Sequence, residues 1–314
     1  MSVSGTPLSP WALSRNPVEN AKRFINRINC YGPTSQAVLN CLQSKNAREI
    51  VSALEGHLSS GNISSIFGPV SDTFLNFNDQ FIGDSVSRLA RGEVDRRISF
   101  MIGENEADGS EIMYFLRKTL DRLNTRDIRY FIDNTLIPVS LLKYDTLVTS
   151  PFIQQLISFQ YFSSQQSLDD KFSLLESIET FLTDSYYVSP IRETLEALAR
   201  SGANVFSFVN NHPVRQQWNS YTNKPEAGAG SVLALLLGQR QFEVQTGSGM
   251  RGLDRQSSIN VQDGLVPFIE RSEPLTDLRW SRYTPQTKQY MVINNLRTNN
   301  EYKVGTLLTD VNLI

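Results

Sequence analysis

Apolar residues recur with the period of an α-helix along much of the chain. Between Val18 and Ile28 they recur every three or four positions, which predicts a helix that ends near Cys30. Asn16 and Pro17 are residue types favoured at the cap and the first position of such a helix. The same pattern predicts further helices over about 35–42, 47–54, 114–123, 168–182 and 189–199.

Two short apolar runs have the length and composition of buried strands in a parallel sheet. The first covers Arg97–Ile102 and is followed by Gly103, where we expect the strand to end. The second covers Asn204–Val209. Helices lie between them, and this order predicts an α/β sheet with long helical insertions. A third apolar run, Val232–Leu237, fits either a buried strand or a helix.

Gly, Ser, Gln and Pro mark the breaks between these elements. Ser189-Pro190 is expected to open the last helix and Gly202 to close it in a left-handed conformation. The stretch Gln245–Val261 is rich in Gly, Ser and Gln and is expected to be the least ordered part of the chain. Within it, Gly247–Gly252 has the Gly-x-Gly-x-x-Gly sequence of a dinucleotide-binding loop. It lacks the flanking βαβ unit that such a loop needs, so we expect a flexible loop.

The composition is that of an ordinary soluble globular protein, with 40% apolar and 20% charged residues among 314. That length permits one large α/β domain or two smaller ones. The 30 basic and 32 acidic residues give a net charge of −2 without a basic run, so we expect no nucleic-acid partner. The chain contains no run of about 18 apolar residues, so we expect no membrane span. Residues Met1–Leu8 lack the features of a signal peptide.

Cysteines and histidines are too few for a convincing metal site. The chain contains only Cys30, Cys41, His57 and His212, whereas structural zinc needs about four nitrogen or sulfur ligands at short spacing. The alternating carboxylates that end at Asp108 are expected to be solvated, so we predict no metal and no cofactor. Taken alone, the two cysteines fit either a local disulfide or two buried thiols, and the thiols are favoured.

Several landmarks occur in order along the chain. They are the segments 3–12, 30–50, 67–72 with 102–110, and 225–238, followed by Trp280–Thr284 and Gln289-Tyr290. Together they resemble the C-terminal half of the type B carboxylesterase/cholinesterase family, which also includes the neuroligins. On this resemblance, residues 1–314 are the C-terminal part of a carboxylesterase domain without the half that carries the nucleophile.

The resemblance implies the C-terminal portion of an α/β-hydrolase fold, a mainly parallel partial sheet flanked by many helices. It also implies a disulfide between Cys30 and Cys41, and hence an extracellular or secretory location. In that location Asn62-Ile-Ser64 would be an N-glycosylation site. A partial sheet exposes an unpaired edge, so we expect the isolated chain to be poorly stable or to belong to a longer protein.

Only some of the family's catalytic residues have counterparts in this chain. Asp108 stands at the position of the triad acid and is predicted to be vestigial. Ala229 stands at the position of the histidine, and a methyl group cannot accept a proton from serine. No Gly-x-Ser-x-Gly nucleophile elbow occurs in the chain, and Glu111 replaces an aromatic residue of the cholinesterases. A triad acid without its partners performs no acyl transfer.

Two further features leave alternatives open. His212 either replaces the missing general base or has a packing or hydrogen-bonding role, and the second is favoured. The aromatic residues within 159–162 are either an exposed recognition patch or part of the core, and the core is favoured.

These residues predict a catalytically inactive cholinesterase-like protein. By resemblance to the neuroligins, it would bind an extracellular protein partner or act in adhesion. The alternatives are a fragment or isoform of a serine carboxylic-ester hydrolase, and a degenerate product without a selected function. The sequence identifies no ligand and no oligomeric state.

Overall fold

The structure, a computed structural model, describes residues 1–14, 17–58, 67–141, 150–163, 170–214, 226–274, 280–293 and 304–306. Asn62, the predicted glycosylation site, lies outside these residues. The chain divides into two compact units. The sheet unit consists of Met1–Ser9, Asp84–Glu111 and Glu179–Ile314, and the helical unit consists of Pro10–Gly83 and Ile112–Ile178.

A five-stranded sheet forms the centre of the sheet unit. Its strands are β1 (Ser2–Val3), β2 (Ser99–Asn105), β3 (Asn204–Asn210), β4 (Gln289–Val292) and β5 (Val304–Thr306). They lie side by side in chain order, the first four parallel and β5 antiparallel to β4. The mainly parallel sheet predicted from the sequence is therefore confirmed.

Strand β2 is longer than the apolar run that predicts it. It continues through Gly103 to Asn105, and the ring of Phe208 on β3 lies directly against Gly103. A Cβ atom at residue 103 would come within 2.4 Å of that ring, closer than carbon atoms approach each other. The expectation that Gly103 ends the strand is wrong, because this glycine makes room for a neighbouring side chain inside the sheet.

Helices account for much of both units. In chain order they are α1 (Pro17–Arg27), α2 (Ser35–Ser44), α3 (Ala47–Leu58), α4 (Ser85–Ala90), α5 (Ser110–Leu120), α6 (Thr125–Phe131), α7 (Ile137–Leu141), α8 (Pro151–Phe162), α9 (Lys171–Thr183), α10 (Ser189–Arg200), α11 (Ser231–Leu237), α12 (Gln239–Thr246) and α13 (Leu253–Arg271). A 3₁₀ turn covers Phe77–Asp79, and π-helical turns cover Ile132–Leu136 and Asp184–Val188. The predicted helices are found with shifted boundaries. No helix in the described ranges is long and apolar enough to cross a bilayer.

The helix expected to open at Ser189 instead continues a longer helical run. The π-helical turn Asp184–Val188 joins α9 to α10, and no side chain caps α10. Pro190 has no N–H to bond the preceding turn. A π-helical turn accommodates such a missing bond without ending the helix. At the far end Gly202 has φ +85° and closes α10, as predicted.

The stretch Gln245–Val261 is not a loop throughout, and that prediction is wrong where α13 begins. At the start of α13 the buried residues are polar, so no apolar stripe at helical spacing reveals the helix. Ser258 Oγ donates to the carbonyl of Leu235 near the end of α11, which satisfies a carbonyl at that helix terminus. Gly247–Gly252 lies between α12 and α13 with no strand before it, so the dinucleotide context is absent there.

The sheet is packed on both faces. Alternate residues of a strand point to opposite faces. Met101 of β2 lies in a core with residues of α11 and α13, whereas Ile102 lies in a second core with residues of α10. The same alternation directs Asn105 toward the first layer and Glu104 toward the second. Each layer therefore receives one polar side chain at the end of β2.

In the helical unit, Cys30 and Cys41 form a disulfide with 2.08 Å between the sulfur atoms. This confirms the pairing that the family resemblance implies, and the alternative of two buried thiols is wrong. Cys30 is fully buried in a small core with Phe24, Ile28 and Ala53. A disulfide that closes so short a loop contributes roughly 3 kcal/mol to stability.

The aromatic stretch 159–162 forms the end of α8 in the helical unit. Phe162 is buried, and its carbonyl accepts a hydrogen bond of 2.8 Å from Arg129 Nη2. Phe159 is 71% exposed. Core packing is therefore confirmed for Phe162 and wrong for Phe159, because neighbouring positions of a helix point to different sides.

Candidate functional site

The carboxyl ends of β2 and β3 lie at the same edge of the sheet because the two strands are parallel. The acid loop (residues 105–111) and the segment before α11 (residues 226–230) meet at this edge. Ala107 and Gly228 form a parallel β-bridge, and the Ala107 N–H donates to the Ala227 carbonyl at 3.0 Å. The structure thus joins the two segments that the resemblance associates with the acid and with the histidine.

Ala229 contacts the acid loop through its backbone. Its N–H donates to Ser110 Oγ at 3.1 Å. Its side chain is a methyl group, which neither donates nor accepts a hydrogen bond. The side chain at this position therefore cannot exchange a proton with any group of the acid loop.

Asp108 is completely buried, and both of its carboxylate oxygens accept hydrogen bonds from Asn105. The Asn105 N–H reaches Oδ2 at 2.9 Å, and the Asn105 side-chain Nδ2 reaches Oδ1 at 2.8 Å. Burial raises the pKa of Asp108 to about 6, although the hydrogen bonds from Asn105 and Ser4 act in the opposite direction. The carboxyl is thus an internal group held by its own loop.

Asn105 connects four segments of the sheet unit through one buried amide. Its Oδ1 accepts from Asn210 Nδ2 at 2.8 Å and from the Val232 N–H at 3.0 Å. Its Nδ2 donates to Ser4 Oγ at 3.1 Å as well as to Asp108. A carboxamide has two donor hydrogens and two acceptor lone pairs, and here all four are used. Sequence reasoning missed this residue, because its partners come from distant positions.

The glycine after the acid is required by close packing. The Gly109 N–H donates to Thr183 Oγ1 at 3.0 Å. A Cβ atom at residue 109 would lie 2.6 Å from both that hydroxyl and the Glu179 carbonyl oxygen. A larger residue would therefore push the acid loop away from the end of α9.

Glu111, which replaces an aromatic residue of the cholinesterases, accepts a hydrogen bond from a buried tyrosine. The Tyr187 hydroxyl donates to Glu111 Oε2 at 2.8 Å. Burial, and next the adjacent Glu111 carboxylate, raise the pKa of Tyr187 above its usual value. Tyr187 belongs to the π-helical turn, so this bond fixes that turn to the start of α5.

His212 has a partner other than Asp108. Its Nε2 lies 3.0 Å from Asp254 Oδ1, and the two side chains are 12% and 6% exposed. The His212 N–H also donates to Asn210 Oδ1 at 3.3 Å. The ring therefore joins the end of β3 to the first turn of α13. Asp254 escaped sequence analysis because it lies in the stretch expected to be a loop.

A second buried carboxyl lies just before Asn105. Glu104 is 6% exposed, and burial, with a smaller repulsion from Asp108, raises its pKa to about 8. Among the described residues, no group of three or more His, Cys, Asp or Glu side chains is placed to hold a metal ion. Glu104 and Asp108 are thus two buried carboxyls, and the expectation that the alternating carboxylates ending at Asp108 are solvated is wrong for both.

A sequence model of the Carboxylesterase family matches residues 1–308. The chain belongs to this family. Mouse neuroligin-3 is 23% identical over 213 residues, which cover 67% of this chain and 24% of that protein. Rat bile salt-activated lipase is 24% identical over 321 residues, which cover 96% of this chain and 48% of that protein. The chain thus spans about a quarter to a half of the length of these curated relatives.

Membership in the carboxylesterase family confirms the resemblance drawn from the landmarks and the α/β-hydrolase class of the fold. Neuroligin-1 of Caenorhabditis elegans is a further relative, 20% identical over 92% of this chain. Relatives named as neuroligins and a relative named as a lipase therefore match overlapping parts of the chain. Family membership does not distinguish a neuroligin-like function from a lipase-like one, because one fold supports several functions.

Proposed function

We propose that this carboxylesterase-family chain is non-catalytic and acts outside the cell by binding another protein, in recognition or adhesion. The observation that carries the proposal is the methyl side chain of Ala229 where the acid loop meets the segment before α11. In a hydrolase triad a histidine at this place accepts the serine proton while the acid orients the ring. An alanine performs neither task.

The surroundings of the acid support the same proposal. Both oxygens of Asp108 accept hydrogen bonds from Asn105, and His212 is bonded to Asp254. We infer that Asp108 is a remnant of a triad whose present role is structural.

The proposed extracellular location is supported by the disulfide between Cys30 and Cys41. Disulfides persist in secreted and cell-surface proteins and are rare in the cytosol. The relatives named as neuroligins agree with a protein-binding role. In such a location Asn62 would carry an N-linked glycan, which a mobility shift on treatment with peptide N-glycosidase would reveal.

Ester hydrolysis tests the absence of catalysis. The purified protein is assayed with p-nitrophenyl butyrate and labelled with a serine-reactive fluorophosphonate, beside a catalytically competent lipase as positive control. We expect no turnover above the buffer rate and no labelling. Saturable turnover that the fluorophosphonate abolishes would overturn the proposal.

Protein binding is tested separately. The purified chain, tagged with a fluorophore, is added to unfixed cells of the source organism over a range of concentrations. We expect saturable binding that an excess of unlabelled chain displaces and that prior trypsin treatment of the cells removes. Binding that neither saturates nor responds to trypsin would contradict a protein partner.

A second candidate is a fragment or isoform of a serine carboxylic-ester hydrolase. It is favoured by the similarity to rat bile salt-activated lipase over nearly the whole chain. The protein isolated from its natural source, in the hydrolysis assay above, separates the two candidates. Fluorophosphonate labelling of that material would favour the hydrolase.

A further inference from the structure

The carboxyl of Glu104 is a buried group that the proposed function leaves unused. Its side chain leaves β2 on the face opposite to that of Asn105 and is 6% exposed. Within the described part of the chain, its Oε2 atom has no hydrogen-bond partner. A buried carboxyl with an unpaired oxygen is less costly when neutral than when ionised, so the protonation state of Glu104 affects the fold.

Charged groups from three other segments act on Glu104. Asp108 in the acid loop and Asp184 in the π-helical turn oppose a negative charge there, whereas Arg192 on α10 favours it. Burial is the largest effect, and with the two carboxylates it outweighs the single guanidinium. The side chain therefore lies where an ionised carboxylate is poorly stabilised.

Glu104 is also the residue directly before Asn105, whose amide bonds Ser4 just after β1, the acid loop, β3 and α11. A shift of this end of β2 toward water would solvate a charge at residue 104 and would move the Asn105 amide out of its four hydrogen bonds. The position of Glu104 thus couples its ionisation to the acid loop.

We propose that Glu104 is a protonation switch for the acid loop: the neutral carboxyl keeps the loop in place, and loss of its proton to water loosens it. The pKa of Glu104, about 8 in the folded chain, is above its ordinary value of 4.5. Between these values the folded chain keeps a proton that the unfolded chain has lost. Stability from this group is therefore complete below about pH 4.5 and is lost as the pH rises through about 8.

Unfolding by urea between about pH 5 and pH 9 tests the switch. Glu104→Gln keeps the shape of the side chain and removes its titration, and Glu273→Gln alters an exposed glutamate of the same unit as a control. One titrating group changes the folding equilibrium constant by at most about tenfold per pH unit. We expect the wild-type constant to fall about 100-fold or more relative to that of Glu104→Gln between pH 5 and pH 8, with Glu273→Gln following the wild type.

The same pH dependence in wild type and Glu104→Gln would overturn the proposal. A second measurement uses the wild type alone, so that it stands even if Glu104→Gln does not fold. Carbon-13 NMR of the glutamate carboxyls should show one group titrating near pH 8, with amide exchange of residues 105–111 accelerating over the same range beyond its intrinsic pH dependence. Glutamate carboxyls that all titrate below about pH 6 would contradict the switch.

Discussion

Two polar clusters at the carboxyl edge of the sheet hold Asp108 and His212 with different partners. In one cluster the carboxylate of Asp108 accepts hydrogen bonds from Asn105. In the other His212 is bonded to Asp254 on α13. The region thus contains an acid and a histidine whose side-chain partners are Asn105 and Asp254 respectively. Residue types that persist at a site do not by themselves indicate the site's reaction.

The two clusters also differ in how they are built. The Asn105 cluster is buried and uses every hydrogen-bonding group of its central amide to join four segments. The His212 cluster joins two elements by one side-chain contact of 3.0 Å. Removal of one member from a buried network leaves several groups unpaired, whereas breaking a single contact leaves one. The first cluster should therefore tolerate substitution far less than the second.

Asn105→Ala should have the largest effect. It leaves the Asp108 carboxylate, the Asn210 amide and the Val232 N–H buried without their partner, and we expect a loss of about 3–5 kcal/mol in unfolding free energy. Equilibrium unfolding in urea measures it. Ser4→Ala, which removes one peripheral member of the cluster, should lose only about 1 kcal/mol. Equal losses in the two variants would contradict a central role for Asn105.

Asp108→Asn should remove a pH dependence of stability. The pKa of Asp108 is about 6, above its ordinary 3.8, so the folded chain retains a proton that the unfolded chain loses between these values. Stability from this group therefore falls as the pH rises from about 4 to about 6, by about 3 kcal/mol at most. Urea titrations of wild type and variant across this range measure the difference, and an identical pH dependence in both would contradict burial of an ionisable Asp108.

The His212–Asp254 contact should contribute less, and a double-mutant cycle isolates it. His212→Ala and Asp254→Ala should each lose about 1–3 kcal/mol in unfolding free energy, since each leaves one mostly buried group without its partner. The double variant should lose less than the sum, because the second substitution no longer breaks the contact. Strict additivity would show that the contact contributes nothing.

Ser110→Ala is expected to have the smallest effect. It removes the acceptor of the Ala229 N–H and should destabilise the chain by about 1 kcal/mol. Amide exchange at residue 229 should accelerate, whereas exchange at Val232 should not, because Asn105 still accepts from Val232. Equal acceleration at both amides would contradict this prediction, because it would mean that residues 229 and 232 lose their hydrogen bonds together.

Much of the fold follows from local patterns. The apolar runs locate β2 and β3, and the helical period locates α1, α2, α3, α5, α9 and α10, because apolar residues recur in these elements at regular spacing. The pairing of Cys30 with Cys41 needs the family resemblance, since the spacing of two cysteines alone also fits separate thiols. The meeting of the acid loop with Ala229 likewise rests on family kinship.

The features that escape the sequence depend on contacts between distant positions. The first part of α13 presents serine and asparagine to the interior, where carbonyls of α11 and neighbouring amides satisfy them, so no apolar stripe reveals the helix. Gly103 resembles a strand end until the ring of Phe208 is seen against it. The role of Asn105 is visible only in the folded chain, where its side chain forms hydrogen bonds with Ser4, Asn210 and Val232.

The central claim is that Asp108 supports structure rather than chemistry, and a comparison of p-nitrophenyl ester hydrolysis by wild type and Asp108→Asn tests it most directly. We predict that both proteins hydrolyse the ester at the buffer rate, while Asp108→Asn changes only stability and its pH dependence. Replacement of a working triad aspartate by asparagine lowers kcat by roughly 10⁴-fold. Saturable hydrolysis by the wild type that falls by such a factor in Asp108→Asn would contradict the account.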